Sequence, residues 1–183
     1  MSKIQIGVMG SAADLNYSKE VEKAAEKIGA LVAKRGGVLF FGAEKDSDSL
    51  STAACRGAKK HDGLTVGITY GKGKKIWDND YADIIIPSGL ERGGGRELTL
   101  VLGCDAVIAI SGGSGTLTEL AIAYQANIPM IALAGYGGWS DKLAGKYFDG
   151  RKRRIVFKAL TPEEAVKIAF DEAEKYRNEN EVI

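Results

Sequence analysis

Residues 105–119 read Asp-Ala-Val-Ile-Ala-Ile-Ser-Gly-Gly-Ser-Gly-Thr-Leu-Thr-Glu, and no other stretch of the chain narrows the choice of folds as far. After Asp105 the run is apolar and rich in β-branched residues without alternation, the pattern of a strand buried on both faces. A glycine-rich turn follows at once. Beyond it Leu117, Leu120, Ala121 and Tyr124 recur at helical spacing until Asn127-Ile128-Pro129 stops the pattern. A strand that needs cover on both faces and feeds directly into a helix belongs to a parallel sheet with helices on either side.

The turn is also a candidate site. Gly112, Gly113 and Gly115 remove side chains where a ligand would approach the backbone. The turn from Gly112 through Ser114 to Thr116 leads into a helix start that offers N–H groups with no intrahelical acceptor, together with the positive end of the helix dipole. These features suit an anion, most naturally phosphate. Two plainer roles stand beside this one. Glycine serves turn geometry by itself, and Thr116 and Glu119 have the spacing of a capping box, in which Glu119 would only bond back to the helix start.

The remaining segments repeat the strand-to-helix theme. Strands are expected at 3–9, 38–41, 64–68, 82–86, 106–110, 129–133 and 154–157. Between them run helices: one capped by Ser18, one through Ala53 and Ala58, one through Leu98 and Leu102, and one opened by Thr161-Pro162-Glu163-Glu164. The alternation specifies an α/β fold, a Rossmann-like, doubly wound and mostly parallel sheet of about seven strands with helices on both faces. Its length of 183 residues suits a single domain over 1–183. Ligands in such sheets sit beyond the carboxyl ends of the strands, which gathers the loops at Gly10-Ser11, Gly42, Arg92 to Arg96 and Gly112 on one edge. In the third of these, Arg92 and Arg96 bracket Gly93, Gly94 and Gly95. Arginine's planar fork suits phosphate or carboxylate, and a hinge with solvated arginines is the plain alternative. The run Tyr70-Gly-Lys-Gly-Lys-Lys75 reads first as a solvated loop and second as a phosphate contact. The stretch 135–143 reads as an aromatic-glycine loop able to close over a ligand or a subunit neighbour, and the tail from Lys175 as a fraying end.

Charge and composition remove several classes of function. Lysine and arginine number 25 against 24 acidic residues, so there is no basic footprint for nucleic acid or an acidic membrane. A phosphate-bearing partner would be held locally. No apolar run has the length of a membrane span, and Cys55 and Cys104 have no metal-type spacing and read as reduced structural thiols. No metal site is expected, and a cytoplasmic protein is. The one histidine, His61, falls at a helix end and reads as surface.

Gly112-Gly-Ser-Gly-Thr-Leu-Thr-Glu119 resembles the Pro-Gly-Gly-x-Gly-Thr-x-x-Glu motif of the Lonely Guy proteins, nucleoside 5′-monophosphate phosphoribohydrolases, with Ser111 in place of the proline. Arg96 stands at the position of that family's catalytic arginine, and Glu97 where its lysine should be. The resemblance extends over most of the chain, through Val8-Met-Gly-Ser11 and Gly135-Tyr-Gly-Gly-Trp139, but the family's second glycine cluster is here Gly42-Ala-Glu-Lys-Asp-Ser-Asp-Ser-Leu50. The combination is similar to a divergent branch of the wider superfamily, close to the molybdenum cofactor carrier proteins. The resemblance implies one of two activities. The first is hydrolysis of the N-glycosidic bond of a nucleoside 5′-monophosphate, with Glu119 and Arg96 catalytic, Arg96 holding Glu119 ionised, and no cofactor required. The second is non-catalytic carriage of a nucleotide or molybdopterin-type ligand. It also implies a homodimer or higher homo-oligomer. The "lysine decarboxylase" label attached to the superfamily is rejected, because no lysine is marked for a Schiff base with pyridoxal phosphate.

Overall fold

The computed structural model describes residues 2–91 and 95–180. The described strands are β1 (Gln5–Gly10), β2 (Val38–Gly42), β3 (Leu64–Thr69), β4 (Ile84–Pro87), β5 (Ala106–Ile110), β6 (Met130–Leu133) and β7 (Val156–Ala159). They form a seven-stranded sheet in the order β4-β3-β2-β1-β5-β6-β7, and each neighbouring pair is parallel. The α-helices are α1 (Lys19–Lys34), α2 (Leu50–Lys59), α3 (Arg96–Leu102), α4 (Ser114–Gln125), α5 (Gly138–Leu143) and α6 (Pro162–Asn180). The chain lays strands outward from β1 to β4, then returns to the other side of β1 for β5 to β7. Strand order therefore reverses between β1 and β5, and a crevice opens there at the carboxyl edge.

β5 explains why the central run shows no alternation. Ala106, Ile108 and Ile110 enter one apolar layer and Val107 and Ala109 the other, all fully buried. The first layer packs beneath α1, α2 and α6, and the second beneath α3 and α4. The expected α/β sheet with helices on both faces is therefore present. Ser18 caps α1 by accepting from the Val21 N–H, and Thr161 accepts from the Glu164 N–H at the start of α6. α1 and α2 meet with almost no room between them: a Cβ at Gly29 would lie 1.8 Å from the Ala54 carbonyl oxygen, and one at Gly57 1.8 Å from that of Glu26.

Four local expectations are corrected. The stretch 135–143 contains α5 rather than a continuous loop, because both oxygens of Asp141 accept backbone N–H groups, from Gly135 at 2.6 Å and Gly137 at 2.8 Å. The stretch from Lys175 to Asn180 belongs to α6 and is tied down rather than frayed. Arg177 donates to the carbonyls of Ser2 and Lys3 at 2.7 and 2.6 Å and pairs with Asp105, whose carboxylate also accepts the Gln5 N–H. β4 starts later than expected because Asp83 is held by the Thr65 N–H at 2.8 Å, and Pro87 is tolerated at its end because β4 is an edge strand. β7 starts at Val156 rather than 154, the Arg154 side chain instead pairing with Glu172 and Glu179 of α6. Cys55 and Cys104 are both free and buried, and no described helix is long and apolar enough to cross a membrane.

The α1–α2 contact sets a direct test. Gly29→Ala is expected to destabilise the protein by about 3 kcal/mol or more, since the clash is with backbone that cannot rotate away. Urea denaturation followed by circular dichroism measures it, and a midpoint equal to that of the unaltered protein would contradict the packing described.

Candidate functional site

The crevice between β1 and β5 deepens into a cavity of about 340 Å³, within the size range of small-ligand sites. Gly10, Gly42 and Tyr70 bring the ends of β1, β2 and β3 to its wall. Gly113, Ser114, Gly115 and Thr116 bring the start of α4, and Arg96, Glu97 and Glu119 complete it from α3 and α4. Strands end here because the sheet does, so the loops expected to converge on one edge do converge.

The turn after β5 is held from both sides. Ser111 and Gly112 both have positive φ, 54° and 95°, and a Cβ at Gly112 would fall 2.5 Å from that of Thr116. In front, the Ser11 hydroxyl accepts the Gly112 N–H at 2.9 Å and bonds the Ser111 hydroxyl at 3.1 Å. Behind, the N–H groups of Trp139 and Ser140 donate to the Gly112 and Ser111 carbonyls at 3.0 and 2.9 Å. Gly138 permits this contact, since a Cβ there would come within 2.4 Å of the Ser111 carbonyl carbon. The segment expected to close over a ligand thus braces the turn from behind, and its helix is not among the cavity walls.

With the turn fixed, α4 begins at Ser114 with Gly113 as its N-cap and no side-chain cap. Its first N–H groups lie at the cavity wall, where an anion is the natural acceptor. This start also excludes the capping box. Thr116 is the third residue of the helix and Glu119 the sixth, well past the position from which a glutamate reaches back.

Arg96 is 5 % exposed. Its Nη1 lies 3.2 Å from Glu44 and its Nη2 3.9 Å from Glu97, while its guanidinium sits 4.0 Å from the centroid of the Tyr70 ring. Gly42 makes the arrangement possible, because a Cβ there would meet Nη1, Nη2 and Cζ at 3.0 to 3.2 Å. Among the described residues Nε has no hydrogen-bond partner, and Nη1 has only the ion pair with Glu44, which lacks hydrogen-bond geometry. A buried cation with unused donors at a cavity wall is costly unless a ligand completes it.

Glu119 is also buried, and burial pushes its carboxyl up to about 8. Arg96 opposes the shift, whereas Glu97 and Glu44 add to it. This corrects the expectation that Arg96 holds Glu119 ionised: loss of hydration outweighs one arginine that is already shared among three carboxyl groups. At neutral pH Glu119 is chiefly the neutral acid, able to donate as well as accept a hydrogen bond.

The other expected residues fall into three groups. Ser11 and Gly112 are not among the lining residues and act on the wall through the turn that they hold. Gly95 is the N-cap of α3 at a φ of 130° and is not among the lining residues, and Arg92 and Gly94 lie outside the described residues. Lys72, Lys74 and Lys75 are exposed and face a neighbouring depression of about 610 Å³, which meets the main cavity at Tyr70. Among residues that sequence reasoning did not select, Glu44 and Tyr70 were foreshadowed only by lying just beyond the ends of β2 and β3. Glu97 stood out as a departure from a motif, not as a wall of the site. His61 is exposed, as expected.

The all-parallel sheet, the reversal at β1 and β5, and the glycine turn feeding α4 define a Rossmann-like member of the LOG-like superfamily. Within it the chain belongs to the SLOG cluster4 family, whose family model matches residues 3–166. An uncharacterized protein of Archaeoglobus fulgidus is 31% identical over 179 residues, covering 96% of this chain and 100% of the relative. Among solved structures, the molybdenum cofactor binding protein of Rippkaea orientalis is 33% identical with a TM-score of 0.77, covering 93% of this chain and 98% of that one. The molybdenum cofactor carrier protein of Chlamydomonas reinhardtii is 26% identical with a TM-score of 0.79, over 94% and 99%. These agree with the branch that the sequence resembles.

The protonation of Glu119 has a measurable consequence. Its carboxyl binds a proton more tightly in the folded chain than in the unfolded one, so stability falls as pH rises from about 4.5 to about 8. Glu119→Gln removes that dependence. The variant is expected to match the unaltered protein near pH 5 and to exceed it near pH 8.5, by an amount on the order of a few kcal/mol. Urea midpoints at the two pH values check this, and a Gln variant that is weaker at the higher pH would contradict it.

Proposed function

We propose that this protein binds and carries a phosphate-bearing ligand of the molybdopterin or nucleotide type without transforming it. The observation that carries the proposal is the buried Arg96, whose Nε is unpartnered among the described residues and whose Nη1 is incompletely satisfied, at the same cavity wall as the uncapped start of α4. In this reading the phosphate accepts the N–H groups of Ser114, Gly115 and Thr116, and the rest of the ligand meets Arg96 and the carboxyl groups around it. The similarity to molybdenum cofactor carrier and binding proteins supports a pterin-type cargo.

The hydrolytic reading is the second one, favoured by the presence of Arg96 and Glu119 in one cavity. It is weakened by the state of Glu119. The cation-stabilising role needs an ionised carboxylate, which the upward shift of Glu119 to about 8 opposes, so that Glu119 would fit hydrolysis only as an acid toward the leaving base.

The proposal extends to a second copy of the chain. α4 is apolar around much of its circumference, and Leu98 and Leu102 of α3 remain exposed beside it. A shallow apolar groove runs between them through Leu117, Ala121 and Ile122. Ile84 and Ile86 are paired with Val66 and Ile68 and so face the same layer, and they too are exposed. A homodimer joined through α3 and α4 would cover this surface and keep the cavity edge open.

Two experiments follow. Native mass spectrometry of the freshly purified protein is expected to reveal a co-purified phosphate-bearing species, and incubation with nucleoside 5′-monophosphates to release no free base. Base release that disappears in Glu119→Gln would instead establish the hydrolase. Leu102→Glu is expected to convert a dimer into a folded monomer by light scattering, and an unchanged mass would remove α3 from the interface.

A further inference from the structure

The cavity has an uneven distribution of charge that phosphate binding does not use. Its anion-accepting part is the start of α4. About one and a half turns further along that helix, some 7.5 Å of axial rise, the wall carries Glu119, and beside it Glu97 and Glu44 crowd a single arginine. Glu97 and Glu119 are 5 and 6 % exposed. A ligand that was anionic throughout would be repelled there. The carboxyl groups call for N–H donors on the ligand, and Arg96, whose Nε has no partner among the described residues and whose Nη1 has only the ion pair with Glu44, calls for an acceptor among them.

A heterocycle edge supplies that combination. The 2-amino-4-oxopyrimidine edge common to pterins and guanine presents a ring N–H and an exocyclic amino group side by side, next to a carbonyl oxygen. The paired donors match the two oxygens of one carboxylate, and the carbonyl matches an arginine N–H or a neutral carboxyl O–H. Adenine presents a ring acceptor where this edge has a donor, and hypoxanthine lacks the amino group. We infer that Glu97, Glu119 and Arg96 form a specificity site that selects ligands bearing a 2-amino-4-oxopyrimidine ring, held by the phosphate at the start of α4 and read at the ring by Glu97. This inference rests on the phosphate-binding reading above and adds the chemistry of the ligand's other end. It also gives Arg96 a role that needs no bond cleavage: the arginine spaces the carboxyl groups and supplies the donor for the ring carbonyl.

The test is calorimetric titration of the purified protein with GMP, IMP, AMP and ribose 5-phosphate. GMP is expected to bind more tightly than IMP or AMP by about 10- to 100-fold, the effect of one lost charge-assisted hydrogen bond at a buried site. Ribose 5-phosphate reports the phosphate end alone. Glu97→Gln is expected to bring GMP down to the level of IMP and leave ribose 5-phosphate unchanged. Glu119→Gln, which remains folded if the stability argument above holds, gives a second measurement at the same edge and is expected to weaken GMP more than ribose 5-phosphate. Equal affinities for GMP, IMP and AMP, with ribose 5-phosphate still bound, would overturn the ring-reading role and leave phosphate binding intact. Loss of GMP and ribose 5-phosphate together in Glu97→Gln would also overturn it, by making Glu97 a support of the fold. Failure of the unaltered protein to bind any of the four would overturn both readings.

Discussion

The site depends on a two-residue piece of backbone held in an unfavourable conformation. Ser111 is a non-glycine residue at positive φ, a position that side chains rarely adopt and that must be held by its surroundings. Its hydroxyl accepts from that of Ser11, just beyond β1, and its carbonyl accepts the Ser140 N–H of α5; the same two segments hold Gly112, so two distant parts of the chain converge on the turn. If the turn relaxed, α4 would start elsewhere, and the amides of its first turn and Glu119 would move together. The neighbouring strand β1 is thus more than a layer of the sheet, because its last residues set the geometry at which the helix begins.

A second constraint is electrostatic. Three carboxyl groups share one buried guanidinium, and water is excluded from most of the arrangement. Such a cluster cannot be fully ionised at low cost, and it resolves the conflict by keeping Glu119 protonated. Hydrogen-bonding capacity, rather than net charge, is what this wall offers to a ligand. That distinguishes it from the start of α4, which offers a field. One cavity therefore joins two chemically different walls, a helix start rich in N–H groups and a cluster of buried carboxyl groups around one arginine.

Much of this was legible in the sequence where the cause is local. The unalternating run of β5 follows from burial on both faces, the glycine turn from its backbone angles, and the caps of α1 and α6 from Ser18 and Thr161. Arg96 and Glu119 were marked by a motif, and the structure brings them to one cavity. What stayed hidden depends on residues distant in sequence. α5 is six residues long and opens with glycines, so only the closing contact of Asp141 and the turn it braces reveal it as a helix. Arg177 looks like one polar residue among many until Asp105 and the carbonyls of Ser2 and Lys3 are seen beside it. The protonation of Glu119 is a property of burial, which no spacing of residues encodes. Glu44 and Tyr70 carry no motif, and their part in the site follows from strand length alone.

The anchoring of Arg177 has a consequence for how the chain can be joined to other things. It places the beginning of β1 and the far end of α6 side by side, at the amino edge of the sheet, while the cavity lies at the carboxyl edge. Ends that meet on the surface away from the working edge are the geometry in which circular permutation is tolerated. A short linker between them would close the backbone into a ring, and new termini could be opened at an exposed loop such as that at Gly73. A segment joined near Ser2 or near the end of α6 would, by the same geometry, leave the mouth of the cavity unobstructed.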